Sequence, residues 1–215
     1  MSHFPDKLIL RARAGGIEAT PETRNRLRAY RDMLREKGGM LSLLSAADLA
    51  DTGGITRHLE DAVDALLFAD PETGARVVDF GAGGGIVGIA WAILRPDMSV
   101  ALLESKHKKA RFLAAATEAI GLANARAVEG RGDAPDLAGA FDLVASRGVP
   151  TDRRALAAQS RLLRPGGLLL LFKGPESAPA ARLVIGRSKT FELREEKSHS
   201  LGDGKERIFL LAEKI

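Results

Sequence analysis

The sequence predicts an α/β fold: a mostly parallel, seven-stranded sheet with helices on its faces, an antiparallel C-terminal hairpin and added N-terminal helices. Three observations predict it. From Arg76 onward, short apolar runs alternate with longer stretches of helical period, the signature of βαβ units. The first apolar run, Val77-Val78-Asp79-Phe80, passes into Gly81-Ala82-Gly83-Gly84-Gly85, a glycine loop that lets a ligand approach the backbone where a Cβ would block it. The end of the chain changes character, with two strand-like segments flanking Gly202-Asp203-Gly204.

Residues 1–74 read as a helical cap ahead of a main domain at 75–215. Thr20-Pro21-Glu22-Thr23 carries a capping residue, a proline suited to the first helical position and an early acid. Leu27, Tyr30, Met33 and Leu34 follow at helical spacing, and Gly38-Gly39 ends the helix. A second amphipathic stretch covers about 57–68, with Leu59, Val63, Leu66 and Leu67 on one side. Pro71 to Gly74 supply the turn into the sheet.

Strands are predicted at 76–80, 99–104, 125–129, 141–146 and 168–173, with helices at 86–94, 106–120, 151–163 and 178–187. Leu162-Leu163-Arg164-Pro165-Gly166-Gly167 reads as a turn entering the buried fifth strand. Segments 190–197 and 206–213 form the hairpin.

With 215 residues there is room for one substantial core. The absence of cysteine excludes disulfides, thiolate metal sites and cysteine nucleophiles, and fits a reducing cytoplasmic compartment. The N-terminus lacks the apolar stretch of a signal peptide and no run has the roughly 20 apolar residues of a membrane helix, so a soluble protein is predicted. The histidines, His3, His58, His107 and His199, show no ligand spacing, and no metal site is predicted. A net charge of +4 permits a polyanionic partner without demanding one.

The glycine loop admits two parses. Gly83-x-Gly85-x-x-Gly88 fits a dinucleotide fingerprint, and Asp79-x-Gly81-x-Gly83-x-Gly85 fits the S-adenosylmethionine loop of Rossmann-like methyltransferases. The second accounts for Asp79, a carboxylate suited to an ammonium and a sulfonium and repulsive to a pyrophosphate. Its structural counterpart is a turn easing strand-to-helix packing. Glu104, at the end of the next strand, can accept both hydroxyls of a ribose or partner a helix start. Gly132-Asp133 can lie near an adenine or form an Asx turn. Arg147 and Lys173 end two strands at the edge where an open α/β sheet binds its ligand. Lys106-His107-Lys108-Lys109-x-Arg111 reads as the solvated face of a helix.

With these residues in view, the chain resembles the bacterial small-subunit (16S) rRNA guanine-N7 methyltransferases, the glucose-inhibited division protein B family. Asp79-Phe80-Gly81-Ala82-Gly83-Gly84-Gly85-Ile86-Val87-Gly88 is similar to that family's loop, Thr56-Arg57-His58-Leu59-Glu60-Asp61-Ala62 to its Arg-His helix segment and Ala145-Ser146-Arg147 to its Ser-Arg motif. Phe172-Lys173-Gly174 and Gly204-Lys205-Glu206-Arg207 match its late signatures. Three departures stand out. Ser42-Leu43-Leu44 stands where the family usually has Asn-Leu-Thr, Lys37-Gly38 where many members have Trp-Asn, and Val87 where a proline precedes Gly88.

The resemblance implies the class I S-adenosylmethionine-dependent methyltransferase fold, S-adenosyl-L-methionine as cofactor, and 16S rRNA or a small-subunit precursor as partner. It implies that Gly81 and Ile86 contact the cofactor, that Gly132 and Asp133 lie along its adenosine and that Arg147 completes the site. Together with the residue reading, Asp79, Gly81, Gly83, Gly85, Ile86, Glu104, Gly132, Asp133 and Arg147 are the expected cofactor residues. Arg57, His58 and Lys173 are expected to face RNA. Guanine N7 presents a free lone pair, so alignment suffices and no general base is expected. The rival expectations are transfer to another RNA, a protein or a small molecule, a nicotinamide-dependent oxidoreductase, and a degenerate member that binds without catalysis.

Overall fold

The computed structural model describes residues 4–200, 204 and 206–215. Four helices come first: α1 (Asp6–Ala14), α2 (Pro21–Lys37), α3 (Ala46–Ala50) and α4 (Gly54–Ala69). The start of α2 is a capping box, in which the Thr20 hydroxyl accepts the Thr23 N–H and the Thr23 hydroxyl accepts the Thr20 N–H. The helix α4 is buried nearly all round, polar residues included: Glu60 and Asp61 are buried with Leu59, Val63 and Leu66.

The sheet alternates with helices in chain order: β1 (Arg76–Phe80), α5 (Gly88–Leu94), β2 (Ser99–Glu104), α6 (His107–Ile120), β3 (Ala125–Glu129), β4 (Phe141–Arg147), α7 (Arg153–Leu162), β5 (Leu163–Lys173), α8 (Ala178–Gly186), β6 (Phe191–Ser200) and β7 (Glu206–Lys214). Its strand order is β3-β2-β1-β4-β5-β7-β6, with β1 to β5 parallel and β7 antiparallel to both β5 and β6. The hairpin is therefore formed as the sequence predicts, although Gly202 and Asp203 of its turn lie outside the described residues.

Period-two alternation splits the strands between two apolar layers. Val77, Leu102, Leu143, Leu170 and Phe209 face one layer, shared with α1, α2, α4, α5 and α6. Val78, Leu103, Val144, Leu171 and Leu210 face the other, shared with α7 and α8. Helices thus cover both sides, as a parallel sheet requires.

Several boundaries differ from expectation by one to five residues, and two of the shifts have a visible cause. The strand β5 starts at Leu163 because Arg164-Pro165-Gly166 stays within the strand as an exposed irregularity opposite Phe141 and Leu143, rather than forming a separate turn. The helix α5 starts at Gly88 because Gly85, at φ +80°, keeps Ile86 and Val87 in a turn.

Gly88 is where α5 meets the sheet. A Cβ there would lie 2.3 Å from Leu102 Cδ2 and 2.9 Å from Asp79 Cβ. Alanine is ordinarily the better helix residue by about 1 kcal/mol, but overpacking a closed core costs about 1–3 kcal/mol. Gly88→Ala is expected to lower the unfolding free energy by about 1–2 kcal/mol in urea titrations.

Candidate cofactor and substrate site

The adjacent parallel strands β1 and β4 diverge in their onward connections, one to each side of the sheet, and ligands of open α/β sheets bind beyond the carboxyl ends at such a point. The glycine loop lies there. Gly81, Gly83 and Gly85 all have positive φ, and a Cβ on Gly81 would sit 2.7 Å from Val149 Cγ2. Two cavities flank the loop. One of about 390 Å³ is lined by Leu43, Asp48, His58, Asp79, Lys109 and Arg147 together with Gly81, Gly83 and Ile86. The other, of about 450 Å³, is lined by Phe80, Leu103, Arg131, Asp133, Val149 and Pro150, again with Gly81. Gly81 is common to both.

Asp79 is 2% exposed and its Oδ2 accepts the Gly88 N–H at 2.8 Å, so the carboxylate binds the first turn of α5. Desolvation raises its pKa to about 7, against the opposing pull of the Gly88 hydrogen bond and Arg147. Glu104 clamps the loop: Oε2 accepts the Gly83 N–H at 2.9 Å and Oε1 the Lys106 N–H at 2.8 Å. The helix-start role weighed for Glu104 is thus the one visible, joined to a loop contact the sequence did not suggest. From the opposite side Tyr30 of α2 donates its hydroxyl to the Gly84 carbonyl at 2.7 Å, wholly buried. Burial holds the Tyr30 pKa well above its ordinary value, so it stays a donor.

Arg147 extends from the end of β4 toward α4. Its Nη1 donates to the His58 carbonyl at 3.3 Å and its Nη2 to His58 Nδ1, while Nε stands 3.7 Å from Asp61 Oδ2. A guanidinium has only donors, so His58 Nδ1 must accept and the ring proton must sit on Nε2, 3.1 Å from Asp48 Oδ2. Burial, followed by the Arg147 charge, lowers the His58 pKa and keeps the ring neutral.

The remaining expected residues are placed as follows. Asp133 is exposed, at the rim of the second cavity, on a loop held by Arg161 Nη2 donating to the Asp133 carbonyl at 2.8 Å. Gly132 has φ +79° and packs against Leu103 and Leu162, and Gly85 packs against Ile89 and Leu113, so both shape the loops without lining either cavity. Arg57 is ion-paired with Asp51 and lines neither cavity. Lys173, expected at the substrate edge, is 7% exposed and donates Nζ to the Val149 carbonyl at 3.1 Å, which fixes the segment between the two cavities. Burial lowers its pKa.

Several site residues escaped the sequence. Lys109, read as part of a solvated face, donates to the Ser42 carbonyl at 2.9 Å and lines the first cavity. Ser42 itself has φ +51°, a left-handed conformation that asparagine tolerates better, so the departure at this position puts the less suited residue there. Asp48 and Tyr30 carried no motif. Only the helical spacing marked Tyr30, and it marked core.

The strand order and the loop define the class: this is the fold of the S-adenosylmethionine-dependent methyltransferases. A SAM-dependent methyltransferase from Aquifex aeolicus matches with a TM-score of 0.61 over 78% of this chain and 95% of that one, and at 15% identity the likeness speaks for the fold. The chain belongs to the rRNA small subunit methyltransferase G family, GidB, whose pattern it matches over residues 23–207. The ribosomal RNA small subunit methyltransferase G of Stenotrophomonas maltophilia is 37% identical over 67% of this chain and 66% of that protein. That of Sorangium cellulosum is 33% identical over 86% and 80%. The chain thus spans just under two thirds of the Stenotrophomonas protein's length. No helix among the described residues is long and apolar enough to cross a membrane.

For a group whose folded pKa is raised, stability is greatest below the unfolded pKa and falls as pH rises through the folded one. Asp79 therefore takes stability away progressively as pH rises from about 4 to about 7, and the full cost remains above that. Asp79→Asn can keep the Gly88 hydrogen bond without the charge, and is expected to be more stable than the parent at pH 8 by about 2–4 kcal/mol, with the two nearly equal at pH 4. Denaturant midpoints across that range check this.

Proposed function

We propose that this protein is an S-adenosyl-L-methionine-dependent methyltransferase that methylates N7 of a guanine in 16S rRNA. The observation that carries the proposal is the pair of cavities that meet the glycine loop at Gly81, the first lined by Asp79, Lys109 and Arg147, in a chain of the methyltransferase G family.

The residues fit the cofactor. Gly83 leaves open the space a Cβ would fill, Gly81 admits Val149 against the loop, and Ile86 lines the first cavity. Asp79 offers a carboxylate to the cofactor's cationic amino-acid end. Each Glu104 oxygen uses one acceptor position on a backbone N–H and keeps another for a ribose hydroxyl. Asp133, at the rim of the second cavity, is the acid assigned here to an adenine amino group, with Phe80, Leu103 and Pro150 as apolar walls and Gly132 and Gly85 shaping the loops. The bound cofactor supplies the electrophilic methyl group.

No base is needed, because N7 carries its lone pair exposed on the major-groove edge of guanine. Catalysis is then alignment of N7 with the methyl carbon and screening of RNA phosphate. Arg147 does both from the mouth of the first cavity, held by the neutral His58. Lys109 adds charge beside it. Lys173 acts by fixing the Val149 segment, and Arg57 by fixing the start of α4 on Asp51. The helices before the sheet serve as a cap over the loop, and an rRNA substrate places the protein in the cytoplasm with 16S rRNA or a small-subunit precursor as its partner.

Mapping of N7-methylguanosine in 16S rRNA from cells with and without the gene tests the proposal: one position should lose its methyl group in the deletion and regain it on complementation. Complementation with Arg147→Ala should restore under about one tenth of the signal, the loss expected when a positioning group is removed. An unchanged map would refute the substrate.

A further inference from the structure

Asp61 is the most deeply buried acid among the described residues. It is 0% exposed, and neither carboxylate oxygen has a hydrogen bond among the described residues. Three cationic or ionisable groups from three strands surround it without closing on it: Arg147 Nε of β4 at 3.7 Å, Arg207 Nε of β7 at 3.7 Å and His199 Nε2 of β6 at 3.3 Å. The His199 ring lies against Phe209 at 4.5 Å between centroids, and neither of its nitrogens has a hydrogen bond among the described residues. Behind His199, Asp64 stands at 3.7 Å and is ion-paired with Arg11 of α1.

A buried ion pair is a poor device for stability, because desolvation of both partners offsets their attraction. Such a cluster acts on where its charges are held. Direct N–H···O bonds run at about 2.7–3.2 Å, so contacts at 3.7 Å orient the two guanidiniums without consuming their Nε donors, and Arg147, which gives one N–H of each Nη to His58, keeps the other. The register shows where those donors are. Arg147 pairs with Phe172 across β4 and β5, and Ile208, next to Arg207, pairs with Lys173 across β5 and β7. Both arginines therefore emerge at one carboxyl edge of the sheet, with Asp61 beneath them.

We propose that Asp61 is a positioning residue of the RNA site: its buried carboxylate holds Arg147 and Arg207 side by side at the carboxyl edge of the sheet as a fork for a phosphate of the RNA backbone. The role rests on the function proposed above. It makes the C-terminal hairpin, through Arg207 and His199, a part of the substrate site. It also explains an acid in the middle of an apolar helix face, where a stability role would favour leucine or alanine.

The test compares Asp61→Asn, the pair Arg147→Gln with Arg207→Gln, and the triple variant in the full chain. Methyl transfer to 16S rRNA is measured as a function of RNA concentration, and S-adenosylmethionine affinity by calorimetry. The expected result for Asp61→Asn is a tenfold or greater rise in KM for RNA, with kcat changed less and cofactor Kd within twofold of the parent. In the triple variant the KM should equal that of the arginine pair, because a positioning residue adds nothing once both of its clients are gone. A parental KM in Asp61→Asn, or a further loss in the triple variant beyond the arginine pair, would overturn the role. If Asp61→Asn alone fails to fold, the triple variant removes the acid and both cations together and decides the role by the same comparison with the arginine pair. A parent chain that binds cofactor yet methylates no rRNA would instead overturn the functional reading, and this role with it.

Discussion

The carboxylate of Asp79, buried at the end of β1 and bound to the Gly88 N–H, is the constraint around which the site is arranged. It ties the first strand of the sheet to the first turn of α5, and between those two anchors the chain has only the glycine loop to span. The loop is then fixed from three directions: by Asp79 at its far end, by Glu104 on the Gly83 amide and by Tyr30 on the Gly84 carbonyl. Each contact uses a backbone group, so the loop's shape does not depend on side chains of its own. A site held this way is ready before its ligand arrives, and little ordering entropy is left for binding to offset.

The electrostatics divide along the same line. Under the proposed function Asp79 and Glu104 at the loop serve the cationic cofactor end, while Arg147 and Lys109, which line the first cavity together with Asp48, serve the RNA. Neutral His58 separates the two, accepting from Arg147 on one side and facing Asp48 on the other. The arrangement is selective in both directions, since an anion reaching the loop meets Asp79 and a cation at the mouth meets Arg147.

Much of the fold was legible because the strands alternate with period two and the helices with period 3.6. The five parallel strands and the hairpin lie close to where the pattern predicts them. The short helices α1 and α3 were not separable within the helical N-terminal region: five residues hold too little of a period, and Arg11 and Arg13 break the apolar reading of α1. The loop and Arg147 carried a signal because glycine spacing and strand ends have positional meaning, and the structure brings both to the first cavity. Asp61, His199 and Lys109 carried none. Their significance lies in partners far along the chain, as with Asp61 of α4 and Arg147 of β4, and a buried Asp on a helix reads in sequence as the polar face of that helix. Lys173 failed in the reverse sense, since a strand end that points at the edge can still turn its side chain inward to a carbonyl.

Gly81 borders both cavities, and what joins them is a missing carbon. The fold provides two modest chambers, neither of which need hold an extended ligand alone. Under the proposed function they serve as neighbouring halves of one site on either side of Gly81, the cofactor reaching across both and the nucleotide entering at one end. The reach of the site is thus a matter of connection more than of volume, and it hangs on the residue at which the two spaces touch.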